Sequence, residues 1–183
     1  MLRENLEHII RAVSAITDQD EIVVVGSQSI LGSVPNAPKP LLESNDADIY
    51  PLHRPDLADL IDGSIGELSH FQDCFGYYAH GIGPDTSILP NDWEVRLVKI
   101  QNENTNFKIG YCLEPHDLAA SQLVAGRNKY LAFVETMIQH KIADGATLQE
   151  RIALLPIPTD QKDRISRWVM NTCAENKGQG FSV

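Results

Sequence analysis

Asp46 and Asp48, one residue apart in "DADIYPL", are the residues whose type and spacing most directly suggest chemistry. In a strand, residues i and i+2 project from the same face. Two carboxylates that close repel each other unless positive charge lies between them. A divalent cation supplies it. Mg²⁺ takes hard oxygen ligands and keeps positions open for substrate phosphates. Phosphoryl and nucleotidyl transfer use such a pair, because the metal bridges phosphate oxygens and offsets charge in the transition state. A solvated strand end gives the same Asp-x-Asp pattern, so a second feature has to support the pair.

That feature lies upstream, in "EIVVVGSQSIL". The β-branched run predicts a short strand apolar enough to be buried on both faces. Gly26 ends it and allows close approach of a phosphate to the backbone. Ser27 offers a hydroxyl and, as the expected cap of a short helix, the N–H groups of a helix start. Gly-Ser at the end of one strand and Asp-x-Asp on the next form a paired signal. Gly26 and Ser27 are therefore the expected phosphate-binding residues of a nucleoside triphosphate site. Asp46 and Asp48 are the expected catalytic and metal-holding residues, with Mg²⁺ or Mn²⁺ as cofactor.

The elements that must position these residues follow from periodicity. Leu6, Ile9, Ile10, Val13 and Ile16 recur at helical spacing over residues 3–17. "VPNAPKP" reads as loop, and "ADIYPL" as the second strand. "PDLADLI" starts a helix with proline near its first turn. "CFGYYAHGI" and "WEVRLVKI" read as strands, and "FKIGYCL" pairs with the latter as a hairpin across "NENTN". The predicted sheet places the Asp-x-Asp strand between the Gly-Ser strand and a strand over 93–100. After Glu114 the pattern becomes helical: "EPHDLAASQLVAG" ended by Gly126, "NKYLAFVETMIQHK" capped by Asn128, then "TLQERIALL" and "TDQKDRISRWVMNTCAEN". The expected class is α/β (α+β): a mixed-sheet core over 1–112, a helical bundle over 113–176 and a frayed tail over 177–183.

Composition narrows the function classes. The net charge of −10 argues against a broad nucleic-acid surface, while leaving room for a local basic pocket. Three cysteines without a CxxC pair give neither a disulfide framework nor a zinc site, and suit a reducing cytoplasm. His70, His80, His116 and His140 show no ligand spacing. The N-terminal helix is amphipathic with acids, unlike a signal peptide, and no apolar run approaches the roughly twenty residues of a membrane span. A cytoplasmic protein without membrane association is expected.

"VVGSQSIL … DADIY" resembles the active-site motif of the nucleotidyltransferase superfamily, the DNA polymerase β-like fold, with a longer gap formed by the proline-rich loop of residues 34–43. "FGYYAHGIGPDTSILPNDWEVRLVKI" and "EPHDLAASQLVAGRNKYLAFVETMI" are similar to an uncharacterised bacterial family akin to the AbiEii-type toxins of toxin–antitoxin systems. The likeness spans roughly residues 20–140. It implies transfer of a nucleoside monophosphate to an acceptor (tRNA, a protein or a small molecule) and an antitoxin partner. It also implies a third carboxylate on a strand beside the Asp-x-Asp strand. "NDWEVRLVKI" offers Asp92 and Glu94, of which Glu94 is the expected residue. A surface pairing of Glu94 with Arg96 is the alternative. Arg127 and Lys129 are the expected cations for a triphosphate. The sequence departs from the AbiEii-like pattern at Gln122, where that pattern has lysine, and at Tyr130, where it has an acid. These departures leave a second reading open: a binding module that keeps the fold and has lost the chemistry.

Overall fold

The computed structural model describes the backbone of residues 1–179 and the side chains through residue 176. Helix α1 (Arg3–Thr17) and strand β1 (Glu21–Val25) form where the apolar spacing places them. Leu6, Ile9, Ile10 and Val13 make the fully buried stripe of α1. Asp18, left-handed at φ 53°, ends the helix. There follow β2 (Asp46–Pro51), α2 (Ala58–Ile65), α3 (His70–Phe75), β3 (Tyr78–Gly81), β4 (Val98–Ile100) and β5 (Ile109–Cys112). These elements belong to one compact unit, Met1–Ser87 with Arg96–Glu114.

The unit is built on a mixed five-stranded sheet of order β3-β2-β1-β5-β4. β1 runs antiparallel to β2 and parallel to β5. β3 adds parallel to β2, and β4 antiparallel to β5. The register puts Ile22, Val24, Ala47, Ile49 and Ala79 on one face, and all five are fully buried. Each isoleucine or valine so buried contributes about 1.5–3 kcal/mol. Helix α1 approaches the sheet at Gly110, where an added Cβ would lie 2.4 Å from Ile10 Cδ1. The opposite face carries Val25, Asp46, Asp48, Tyr78 and His80.

The strand expected over 93–100 is confined to Val98–Ile100, because Trp93–Arg96 forms a 3-10 turn. Asp92, left-handed at φ 60°, breaks the extended run just before it. β4 lies at the far edge of the sheet, separated from β2 by β5 and β1, so it does not flank the Asp-x-Asp strand. The strand that does is β3. It is shorter than expected, because Cys74 and Phe75 complete α3 and Gly76, at φ 76°, caps that helix. The expected β4–β5 hairpin is present.

The second unit comprises Ile88–Val95 and the chain from Pro115 onward. Its helices are α4 (Pro115–Ala125), α5 (Asn128–Gln139), α6 (Gly145–Ala153) and α7 (Thr159–Gln179). Leu118, Leu123, Val134, Met137, Leu148, Ile152 and Val169 are buried in it. Fully buried Asp117 of α4 pairs with Arg151 of α6 at 3.3 Å. Gly126, at φ 64°, follows the end of α4. Arg127 rather than Asn128 is the N-cap of α5, because Asn128 already has helical geometry. Of the frayed tail expected over 177–183, residues 177–179 instead continue α7, and residues 180–183 lie outside the described residues.

Within the first unit, buried Glu7 joins α1 to the turn between β4 and β5. Its carboxylate accepts from Arg3 Nε at 2.8 Å, Asn102 Nδ2 at 2.7 Å and Asn104 Nδ2 at 2.9 Å. Burial alone raises the Glu7 carboxyl, yet hydrogen bonds from Asn104, Asn102 and Arg3, with the Arg3 charge, carry it below its usual value. A lowered folded value gives stability that is present above the unfolded value of 4.5 and lost as pH falls through the folded one. Glu7→Gln sets an amide donor against the half-buried donors of Arg3 and Asn102. It is expected to cost about 1–3 kcal/mol in urea unfolding at pH 7. The gap from wild type should narrow below pH 4.5. A gap independent of pH would show that the carboxylate charge plays no part.

Candidate functional site

Asp46 opens β2, and Asp48 lies opposite Val25, the last residue of β1. The next residue of the chain, Gly26, therefore passes beside the Asp48 carboxylate. A Cβ at Gly26 would fall 2.1 Å from Asp48 Oδ2. The backbone there adopts φ 67° and ψ −174°, a combination essentially restricted to glycine. Ser29 locks the turn: its N–H, at 3.2 Å, and its hydroxyl, at 2.8 Å, both donate to the Gly26 carbonyl. Ser27 is the first residue of the 3-10 turn Ser27–Gly32, and its expected capping role falls to Gly26. Gly26 makes the close approach by lacking a side chain.

On the other side of β2, the parallel register sets Asp46 against Tyr78 and Asp48 against His80. The His80 Nδ1 to Asp48 Oδ1 distance is 2.9 Å. The Ser44 hydroxyl donates to Asp46 Oδ1. One ligand atom each from Asp46, Asp48 and His80 lie within 4.8 Å of one another, close enough to surround one ion. The Asp48 side chain is 29% exposed and that of His80 53%, so the group is open to solvent on one side.

The surroundings are strongly negative. Burial first, then the charges of Asp46, Glu67, Asp48 and Asp62, push the Tyr78 hydroxyl above its usual value. Asp62, Glu67, Tyr78 and His80 line a cleft of about 340 Å³. Asp62 is held in place by the Gly81 N–H, which donates to its Oδ1 at 2.8 Å. Two carboxylates and an imidazole in such a field are a donor set that fits a divalent cation.

His80 shows no ligand spacing in the sequence, yet it joins the two aspartates here. Histidine ligands are usually sought by spacing along one segment, and only the β2–β3 pairing brings His80 to the aspartates. The available signal was its alternation with Tyr78 in a short strand following the Asp-x-Asp strand. Glu94 sits exposed on the 3-10 turn of the second unit rather than on a strand beside β2. The strand that flanks β2 in place of the one expected over 93–100 is β3, and the residue beside Asp48 there is His80.

Arg127 and Lys129 also belong to the second unit, at the exposed start of α5. Arg127 Cζ lies 5.6 Å, and Lys129 Nζ 5.0 Å, from the centre of the Tyr130 ring. The ring gathers the two cations by cation–π attraction without adding a carboxylate. Gln122 is 5% exposed in α4, and neither amide atom has a hydrogen-bond partner among the described residues. The Cys112 thiol is pushed up to about 12 by burial, which makes it inert.

A Gly-Ser turn leaving one strand, set against an Asp-x-Asp on its antiparallel neighbour in a mixed sheet, defines a nucleotidyltransferase-type α+β protein. The chain belongs to the family described as nucleotidyltransferase of unknown function (DUF6036), whose sequence model matches residues 4–167. No curated protein and no solved structure matches it. Among the described residues, no helix is long and apolar enough to cross a membrane.

The contact between Gly26 and Asp48 predicts the effect of one methyl group. Gly26→Ala is expected to cost about 1–3 kcal/mol through the forced backbone conformation. It should also displace the Asp48 carboxylate. Unfolding measures the first effect, and Mn²⁺ titration of the folded variant measures the second. A variant as stable as wild type with unchanged Mn²⁺ affinity would show that the apposition is incidental.

Proposed function

We propose that this protein transfers a nucleoside monophosphate from a nucleoside triphosphate to an acceptor in a metal-dependent reaction. The observation that carries it is the apposition of Gly26 and Asp48, which puts a side-chain-free backbone turn beside the carboxylate pair. Asp46 and Asp48 would hold Mg²⁺ or Mn²⁺. When bound, the ion supplies charge stabilisation to the phosphate oxygens. The residues of the chain do the rest. Gly26 admits the triphosphate to the backbone, and Ser27 offers it an N–H and a hydroxyl. The Ser44 hydroxyl fixes the direction of the Asp46 carboxylate, and His80 lies beside that of Asp48. Attack of the acceptor on the α-phosphorus forms one oxygen–phosphorus bond and breaks the bond to pyrophosphate.

Arg127 and Lys129 enter on chemistry alone, as the fixed positive charge that a triphosphate calls for. The acceptor classes remain tRNA, a protein or a small molecule. The resemblance to AbiEii-type toxins adds a toxin–antitoxin role with an antitoxin partner. One observation favours the alternative of a binding module with lapsed chemistry. Where the AbiEii-like pattern has a lysine, Gln122 is a neutral, buried amide.

Thermal unfolding with Mg²⁺ or Mn²⁺ and each of the four triphosphates tests the binding step. A ligand at a hundred times its Kd stabilises by about 2.7 kcal/mol. Wild type is expected to show this rise, and Asp46→Ala combined with Asp48→Ala to lose it. No rise with any triphosphate at millimolar concentration contradicts the proposal. Release of pyrophosphate then separates the enzyme from the module, which would bind without turnover. Arg127→Ala is expected to weaken triphosphate binding and leave the melting temperature unchanged, since an exposed helix-start arginine adds little stability. Unchanged affinity would remove Arg127 from the site.

A further inference from the structure

We propose that His80 is the third protein ligand of the cation held by Asp46 and Asp48, and that its nitrogen turns the site's preference from Mg²⁺ towards Mn²⁺. This rests on the assignment of Asp46 and Asp48 as a cation site and adds a ligand and a selectivity to it. Three observations carry it. The parallel β2–β3 register places His80 directly beside Asp48, on the face that carries both aspartates. The ligand atoms of all three residues lie within 4.8 Å of one another. The separation of His80 Nδ1 and Asp48 Oδ1 is 2.9 Å. Two adjacent ligands about 2.1 Å from a common octahedral ion lie about 3.0 Å apart, and opposite ones about 4.2 Å. The contact therefore already has the length of one edge of a coordination octahedron.

Position supports the same role. β3 is an edge strand, and the half-exposed His80 ring leaves room on its open side for water and phosphate oxygens. Among the described residues, the polar partner of the ring is Asp48, one of the two proposed ligands. Selectivity follows from ligand type. Mg²⁺ binds oxygen and gives up its water reluctantly. An imidazole nitrogen favours first-row transition ions over Mg²⁺, and Mn²⁺ is the member of that series that also suits carboxylate oxygen. A site with three carboxylates would lack this bias.

The test uses the full chain and Mn²⁺ alone as the probe. Mn²⁺ affinity is read from the electron paramagnetic resonance signal of the free ion, and Mg²⁺ affinity by competition. Electron spin echo modulation reports nitrogen bound to Mn²⁺. Wild type is expected to show imidazole ¹⁴N modulation that changes to ¹⁵N when its histidines are labelled. His80→Asp should lose the modulation while keeping a bound ion. Its ratio of Mn²⁺ to Mg²⁺ affinity should fall on the order of tenfold. Labelled wild type shows that a histidine binds the ion, and His80→Gln, expected to lose the modulation and keep the ion, identifies which one even if His80→Asp does not fold.

Bound Mn²⁺ without nitrogen modulation, or an unchanged affinity ratio in His80→Asp, overturns the role of His80. If Asp46→Ala with Asp48→Ala still abolishes Mn²⁺ binding, the carboxylate site survives that result. Mn²⁺ binding that persists in that double variant overturns both proposals, as does the absence of binding to wild type.

Discussion

The site depends on one steric constraint: the Asp48 carboxylate and the backbone of residue 26 share a space that has no room for a Cβ. Only glycine meets this condition, and only at a backbone conformation that other residues avoid. The constraint is built by pairing. Because β1 and β2 are antiparallel and Val25 faces Asp48, the chain must leave β1 beside the carboxylate. The buried run of Ile22 to Val25 anchors that pairing through burial of every residue. Ser29 then holds the turn shut by binding the Gly26 carbonyl twice. Core packing, strand register and the glycine turn thus combine to place a bare stretch of backbone next to two carboxylates.

Topology supplies the other half. A parallel strand beside β2 requires a crossover, and α2 and α3 provide it between β2 and β3. The result is that residues about thirty positions apart in sequence, Asp48 and His80, become neighbours on one sheet face. The crossover also delivers Asp62 and Glu67, which line the cleft beside His80. Negative charge concentrated in this way attracts cations.

Much of this was legible in the sequence, because local physics wrote it there. The i, i+2 spacing of Asp46 and Asp48 fixes their common face regardless of the rest of the fold. The apolar run before Gly26 marks a buried strand, and the helices of the second unit follow their periodicity. What was not legible depended on contacts distant in sequence. Residues 93–97 have strand composition, but the left-handed Asp92 and the 3-10 turn after it override that preference. Glu94 was expected on a strand beside β2, and that expectation assumed a neighbour of β2 that strand order alone decides. His80 was invisible for the same reason. Its alternation with Tyr78 marks a strand, and only the pairing of that strand with β2 gives His80 its meaning. Gln122 and Tyr130 were visible only as departures from a pattern. The structure adds that the Gln122 side-chain amide is buried without a partner among the described residues and that Tyr130 gathers two cations.

The most direct test is a crystal structure of the protein grown with Mn²⁺ and a nonhydrolysable triphosphate analogue, with anomalous data collected at the manganese edge. The predicted result is an anomalous peak bounded by Asp46, Asp48 and His80, with the triphosphate against the Gly26–Ser27 backbone. A triphosphate bound elsewhere, or manganese absent from the two aspartates while the analogue is bound, would contradict the account.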